Sequence, residues 1–251
     1  MARKMPVLSI TGPRQSGKTT LARICFPDHT YVNLENPDTL RDAASDPRLF
    51  LTGHKRGLII DEAHLLPELF SYIQALSDES GKTGEYILTG SQNFLLSAKI
   101  SQSLAGRIFI THLLPLSMDE LRATPYWEKN PEHFIFGGFY PRLYDKKIKP
   151  AQFYPSYIQS YTERDVRQLI NISDLALFQK FMRLAAGRIG QLINYNSLGN
   201  ELGVDHKTIK SWFSILEASF IVFFLPPHFK NFNKRLVKSP KLYLRDAGIF
   251  H

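Results

Sequence analysis

The chain has 251 residues, 43% hydrophobic and 22% charged, a balance that excludes a disordered tail and supplies enough apolar side chains for a packed core. One cysteine, Cys25, excludes an internal disulfide or a cysteine metal cluster, and no apolar run approaches the roughly 20 residues that a membrane-spanning helix needs. Residues 1–120 carry 12 Lys and Arg against 13 Asp and Glu, a net of −1, whereas residues 121–251 carry 19 against 10, a net of +9. The basic second half points to an anionic partner there, with duplex DNA first, or simply to a basic soluble surface. The basic N-terminus has no apolar leader region behind it, so a cytoplasmic protein without a membrane partner is the expectation.

In chain order, Val7 to Thr11 reads as a short buried strand, Gly12 to Ser16 as a loop and Gly17 to Ile24 as a helix. Tyr31 to Leu34 and Leu58 to Ile60 read as strands. Leu65 to Leu76 has helical spacing, with Pro67 in the first turn, where proline is tolerated. Tyr86 to Thr89 and Ile108 to Leu113 complete the strands. Strands alternating with helices predict an α/β fold, a parallel sheet covered on both faces. Residues 125–150, rich in Pro, Gly and aromatics, read as a linker or irregular insertion. Residues 151–225 are mostly helical by period, and Phe220 to Leu244 suggest a β-ribbon.

The segment Gly12-Pro13-Arg14-Gln15-Ser16-Gly17-Lys18-Thr19 fits G-x-x-x-x-G-K-[ST] in full and is followed by Thr20. Its glycines let successive backbone N–H groups face phosphate oxygens, and the helix behind it adds partial positive charge. Lys18 is expected to reach the β- and γ-phosphates of ATP, and the Thr19 hydroxyl to hold Mg²⁺. The apolar strand Leu58-Ile59-Ile60 ends on two carboxylates. Asp61 is the expected second Mg²⁺ residue, and Glu62 the group that orients and polarises the attacking water. Asp61-Glu62-Ala63-His64 also spells a helicase signature, but a helicase of that type needs a second RecA-like domain that the remaining pattern does not offer.

Ser91 or Asn93, just after a strand, are candidates to sense the γ-phosphate; Ser91 is taken first, against an ordinary polar turn. Arg107, just before a strand, can stabilise the transferring phosphoryl group from a neighbouring subunit, which implies a homo-oligomer, or can form a structural salt bridge. Cys25 reads as packed, and Phe134, Phe136, Phe139 and Tyr140 as core rather than a base-stacking platform.

Leu198, Leu202 and Val204, then Gly203 and Ile209, Phe213 and Leu216, make a helix-turn-helix pattern. His206, Lys207, Thr208, Lys210 and Ser211 fall at the start of the second helix, where base contacts are made in DNA-bound examples. Lys230, Lys234, Arg235, Lys238 and Lys241 follow in the ribbon. The alternative is an inert spacer or a protein-docking surface.

Thr11 to Leu21, Tyr31-Val32-Asn33-Leu34-Glu35, Asp61-Glu62, Leu88-Thr89-Gly90-Ser91, Ser103-Leu104-Ala105-Gly106-Arg107, Tyr161-Thr162-Glu163-Arg164-Asp165-Val166, Pro226 and Lys238 to Tyr243 resemble the prokaryotic AAA+-type ATPases that carry a C-terminal domain of unknown function. The resemblance implies a RecA-like/AAA+ core followed by a mainly helical winged-helix region. The expected division is an ATPase domain over 1–124, a helical linker region over 125–190 and a winged helix-turn-helix over 191–245. In that family a restriction-endonuclease-like domain usually follows, so 246–251 is expected to be its stub. The functional expectation is a Mg²⁺-dependent ATPase acting as a DNA-associated switch or remodelling protein. The alternatives are an ATP-gated DNA-binding or docking module with negligible turnover, and, weaker still, a P-loop kinase.

Overall fold

The computed structural model describes residues 4–54, 56–90, 103–166, 174–228 and 239–250. Ser91, Asn93, Lys230, Lys234, Arg235 and Lys238 lie outside the described residues. The chain divides into two compact units, residues 1–114 and 115–251.

The first unit is a five-stranded parallel sheet in the order β2-β3-β4-β1-β5. The strands are β1 (Val7–Thr11), β2 (Thr30–Asn33), β3 (Leu58–Asp61), β4 (Tyr86–Gly90) and β5 (Ile108–His112). The three inner strands are buried at every position while β2 and β5 are half-exposed, as a parallel sheet covered on both faces requires. Alternation sorts their side chains. Leu8, Ile10, Ile59 and Ile87 pack with Ala22 of α1 (Lys18–Cys25) on one face. Val7, Leu58, Ile60, Tyr86 and Leu88 pack on the other with Ala43 of α2 (Pro37–Ser45), Leu51 of α3 (Pro47–Thr52) and Phe70 and Ile73 of α4 (Leu69–Ser80). The side chains of Asn36 and Asp46 cap α2 and α3, each with a proline just inside the helix.

Two expectations for this unit are corrected. The helix expected over Leu65 to Leu76 begins at Leu69, behind a 3₁₀ turn at Ala63–Leu65. Pro67 restricts the residue before it, and Leu66 takes φ −134°, ψ 76°, which keeps that turn out of the helix. Cys25 is exposed rather than packed.

The second unit is helical around one core. It contains α5 (Met118–Arg122), α6 (Pro131–Gly137), α7 (Pro141–Asp145), α8 (Pro150–Tyr161), which runs into a π-helical turn at Thr162–Val166, α9 (Leu175–Ala186), α10 (Tyr195–Leu202) and α11 (His206–Ala218). Residues 125–150 are therefore not an irregular insertion. Asn130, Tyr140 and Lys149 each precede a proline at the first turn of a helix, so the prolines start helices there. Phe134 and Tyr140 are buried as expected, but Phe136 is 53% exposed.

α10 and α11 meet through Gly203, left-handed at φ 71°. Gly199 lies so close to the turn that a Cβ there would sit 2.6 Å from the Val204 carbonyl oxygen. Leu198, Leu202, Ile209, Phe213 and Leu216 are buried. An antiparallel ribbon follows, β6 (Val222–Leu225) with β7 (Lys241–Leu244), and Leu192 bridges to Lys241. Residues 246–250 are packed into this unit through Asp246 and Ile249. No helix among the described residues is long and apolar enough to cross a membrane.

Candidate active site

β1 and β4 are neighbours, and the chain leaves β1 toward β2 but leaves β4 toward β5, so the connections run in opposite directions here, the point where open parallel sheets bind ligands. The loop behind β1 is a backbone cradle. Gly12 has φ 154°, and a Cβ on it would fall 2.0 Å from the Leu113 carbonyl oxygen, so only glycine fits. Gln15 and Gly17 also take positive φ, 61° and 93°, which curls the chain into a concave nest ahead of α1. Arg14 is half-exposed, and Gln15 and Thr20 are exposed. Buried Lys18 donates from Nζ to the carbonyls of Gly12 and Pro13 at 3.0 and 2.7 Å. The buried Ser16 hydroxyl finds no hydrogen-bond partner among the described residues. A cradle that a Cβ would fill, an internally held ammonium and an orphaned hydroxyl fit a bound phosphate chain.

The second element is Asp61. Thr19 Oγ1 donates to its Oδ2 at 2.7 Å and Tyr31 Oη to the same oxygen at 2.9 Å. Thr89 Oγ1 and the Glu62 backbone N–H, the latter at 3.1 Å, donate to Oδ1. Strand register explains the convergence. Asn33 is paired with Asp61 and Leu88 with Ile60, which sets Thr89 beside the carboxylate. Burial and the hydrogen bond to Asp61 push the Tyr31 hydroxyl far above its ordinary range, so it stays a donor. A hydroxyl and a carboxylate in contact are the oxygen pair that suits Mg²⁺.

Glu62 stands next, left-handed at φ 52°. His64 is buried, and its Nδ1 lies 3.2 Å from Glu62 Oε2. Burial pushes the Glu62 carboxyl up. The approach of His64 and the charges of His64, Lys18 and Arg14 pull it down further, and the net position is below the ordinary carboxylate range. Glu62 is thus ionised at neutral pH.

Arg107 does not join this group. Its Nε and Nη2 donate to the two carboxylate oxygens of Asp78 on α4 at 2.5 and 2.9 Å, and Nη1 to the Ala105 carbonyl. In the second unit His206, Lys207, Lys210 and Ser211 are exposed along α11 and Thr208 is half-buried. Asp205 caps that helix by accepting from the Lys207 backbone N–H at 3.0 Å, and His206 Nδ1 lies 2.7 Å from Asp205.

The sequence reading missed Tyr31, Thr89 and His64 as parts of this site. A signal for Thr89 existed: the three buried strands finish on or next to a polar residue, Thr11, Asp61 and Thr89. Tyr31 on a half-exposed strand is indistinguishable by sequence from a packing tyrosine.

Comparison with known proteins agrees with this geometry. Residues 4–122 match the AAA domain family, and residues 128–251 match a domain of unknown function, DUF8612. The uncharacterized protein Rv2008c of Mycobacterium tuberculosis is 32% identical over 253 residues, covering 99% of this chain and 56% of the relative. An uncharacterized protein of Haemophilus influenzae is 21% identical over 270 residues, covering 96% of this chain and 67% of the relative. The chain thus spans a little over half of the mycobacterial relative. A signal transduction ATPase (STAND) protein with a tetratricopeptide repeat sensor from Pyrococcus horikoshii aligns at 15% identity and a TM-score of 0.32, over 98% of this chain and 40% of that one, too loosely to carry an inference. The chain is therefore similar to the P-loop AAA domains over residues 4–122 and to a domain of unknown function over residues 128–251.

Proposed function

We propose that this chain is a Mg²⁺-dependent ATPase whose nucleotide state switches a DNA-associated second unit. The observation that carries the reading is the contact between Thr19 and Asp61, 2.7 Å, with an ionised Glu62 on the next residue. Thr19 and Asp61 would hold Mg²⁺, which when bound neutralises phosphate charge. Lys18 would exchange its carbonyl partners for phosphate oxygens, and the backbone nest would orient the chain of phosphates. Glu62 would take the proton of the attacking water. Ser91 as sensor remains part of this proposal.

The order α10, α11, β6, β7 supports reading the second unit as a winged helix-turn-helix, in which α11 would enter a groove of duplex DNA. His206, Lys207, Thr208, Lys210 and Ser211 would make the contacts. The test is phosphate release from Mg-ATP with and without duplex DNA at two salt concentrations. Stimulation by DNA that fades with salt supports the coupled reading, and turnover indifferent to DNA removes the DNA partner. Substituting Lys207 and Lys210 together by alanine should flatten the salt slope by about 2.

A second reading, an ATP-gated module with negligible turnover, is favoured by the engagement of Arg107 with Asp78. In trans action within a homo-oligomer, Arg107 would have to leave that carboxylate. Asp78→Ala therefore separates the readings. A faster ATPase supports release of Arg107 toward a neighbouring site. An unchanged rate leaves Arg107 a structural partner only.

A further inference from the structure

Phe136 is the aromatic that left the core, and it does not stand alone. With Tyr126 and Tyr144 it walls a cavity of about 480 Å³ in the second unit, whose polar lining is His133, Lys147 and Lys149. Among the described residues, no lining residue is acidic. The aromatic walls are set in place. The Tyr126 and Tyr144 rings lie 5.4 Å apart at 54°, and the Tyr144 hydroxyl donates to the Gly138 carbonyl at 2.6 Å. Tyr126 is 40% exposed.

Lys147 stands in a position that ordinarily belongs to glycine. It follows the last turn of α7 at φ 50°, and the next N–H, that of Ile148, closes the helix by donating back to the Leu143 carbonyl at 3.2 Å. A glycine is favoured at this left-handed site. A lysine there carries backbone strain, and strain of this kind gathers at ligand sites. Its neighbour Lys146 pairs with Asp145 at 2.9 Å, whereas neither Lys147 nor Lys149 is in an ion pair among the described residues.

We propose that this cavity binds a nucleotide unit, its planar base against Tyr126, Phe136 and Tyr144 and its phosphate on Lys147 and Lys149. Flat rings accept any base, because every base has a π-face. A peptide that pairs by its main chain adds to an open sheet edge, and the lining residues lie on α6, α7, the first residue of α8 and the turns beside them, with no strand among them. The unit can arrive as a free nucleotide or within a single strand of nucleic acid. Its lining shares no residue with the P-loop or with α11.

The test is fluorescence anisotropy on the full chain carrying Lys18→Ala, which removes the P-loop lysine. The probes are a labelled oligothymidylate of about 12 nucleotides and an abasic oligomer of the same length, which keeps the phosphates and lacks the bases. The base-bearing strand should bind about tenfold more tightly, and Phe136→Ala should abolish that difference. Lys147→Gly should weaken binding severalfold while raising the thermal midpoint, because glycine relieves the strain. Substituting Lys207 and Lys210 by alanine should leave the difference intact. Displacement by thymidine monophosphate identifies a free-nucleotide site, and its failure identifies a strand site. Equal binding of the two oligomers overturns the proposal, as does displacement by an acidic tyrosine-containing peptide but by no base-bearing probe. A Lys147→Gly chain that melts higher and binds unchanged, together with a silent Phe136→Ala, also overturns it.

Discussion

Each unit buries an aspartate, and the two are held in opposite ways. Asp61 accepts from the hydroxyls of Thr19, Tyr31 and Thr89 and from one backbone N–H. Asp246 accepts from the backbone N–H groups of Phe139 and Gly248 at 2.7 and 2.9 Å and from the Tyr154 hydroxyl at 2.9 Å. Hydroxyls at the rim of a phosphate cradle can turn to a metal without breaking the main chain. Backbone donors cannot move without unfolding the turn that carries them. The hydroxyl partners of Asp61 therefore suit the proposed metal site, whereas Asp246 is a clasp that ties the segment after β7 to the turn between α6 and α7. Burial pushes the Asp246 carboxyl above its ordinary value, against the pull of its three donors.

The sharpest way to break this comparison is at the first aspartate's neighbours. Glu62→Gln should lower turnover by about 10²–10⁴-fold with ATP still bound, while Lys18→Ala should abolish nucleotide binding in calorimetry. Equal turnover in the Glu62 variant would remove that residue from its role. Neither change should alter melting by much, because both groups sit on the loop side of the sheet.

The reverse pattern is expected at the clasp. Asp246→Ala strands buried donors at about 1–3 kcal/mol each, so a loss of about 3 kcal/mol should appear in thermal melting, with ATP affinity unaltered. The sign of the pH dependence follows from the raised carboxyl. The folded state holds the proton more tightly than the unfolded chain, so stability falls as pH rises from the ordinary value near 3.8 through the raised one. Asp246→Asn should flatten that slope in melting followed across mildly acidic pH. An unchanged slope would mean that another group sets it.

How much of each region could be read in advance follows from how local its information is. The P-loop is eight consecutive residues with Gly12 fixed by one close approach, and Asp61 ends an apolar run. Both signals are contiguous, and the fold brings them together as expected. Tyr31 and Thr89 reach Asp61 only because β2 and β4 flank β3 in a particular register, which no local pattern contains. The second unit is less legible for the same reason. Its prolines, read as breakers, start helices at Pro131, Pro141 and Pro150. By sequence Phe136 reads as core with Phe134, Phe139 and Tyr140, and only the packing of α6 decides that it faces outward. The helix-turn-helix was visible because its buried spacing and its glycine turn are again local.

The smallest expected effect sharpens the comparison most, since it concerns how a buried carboxylate is kept ionised. Glu62 owes its low position to His64, Lys18 and Arg14 acting against burial. His64→Asn removes one of these and keeps a polar side chain of similar bulk. The Glu62 carboxyl should then rise, and the acid limb of the turnover profile should move to higher pH. At neutral pH the carboxylate remains ionised through Lys18 and Arg14, so kcat there should change little. The measurement is kcat for ATP across acidic to neutral pH, beside the wild-type chain. A limb that stays in place would show that Glu62 is not the group titrating. A fall at neutral pH with an unmoved limb would place His64 in contact with the chemistry rather than behind Glu62. Asp246 has no such cation beside it among the described residues, and its carboxyl goes the other way. The two buried carboxyls shift in opposite directions, Glu62 down and Asp246 up, and the proposed role in activating water falls on the one that stays ionised.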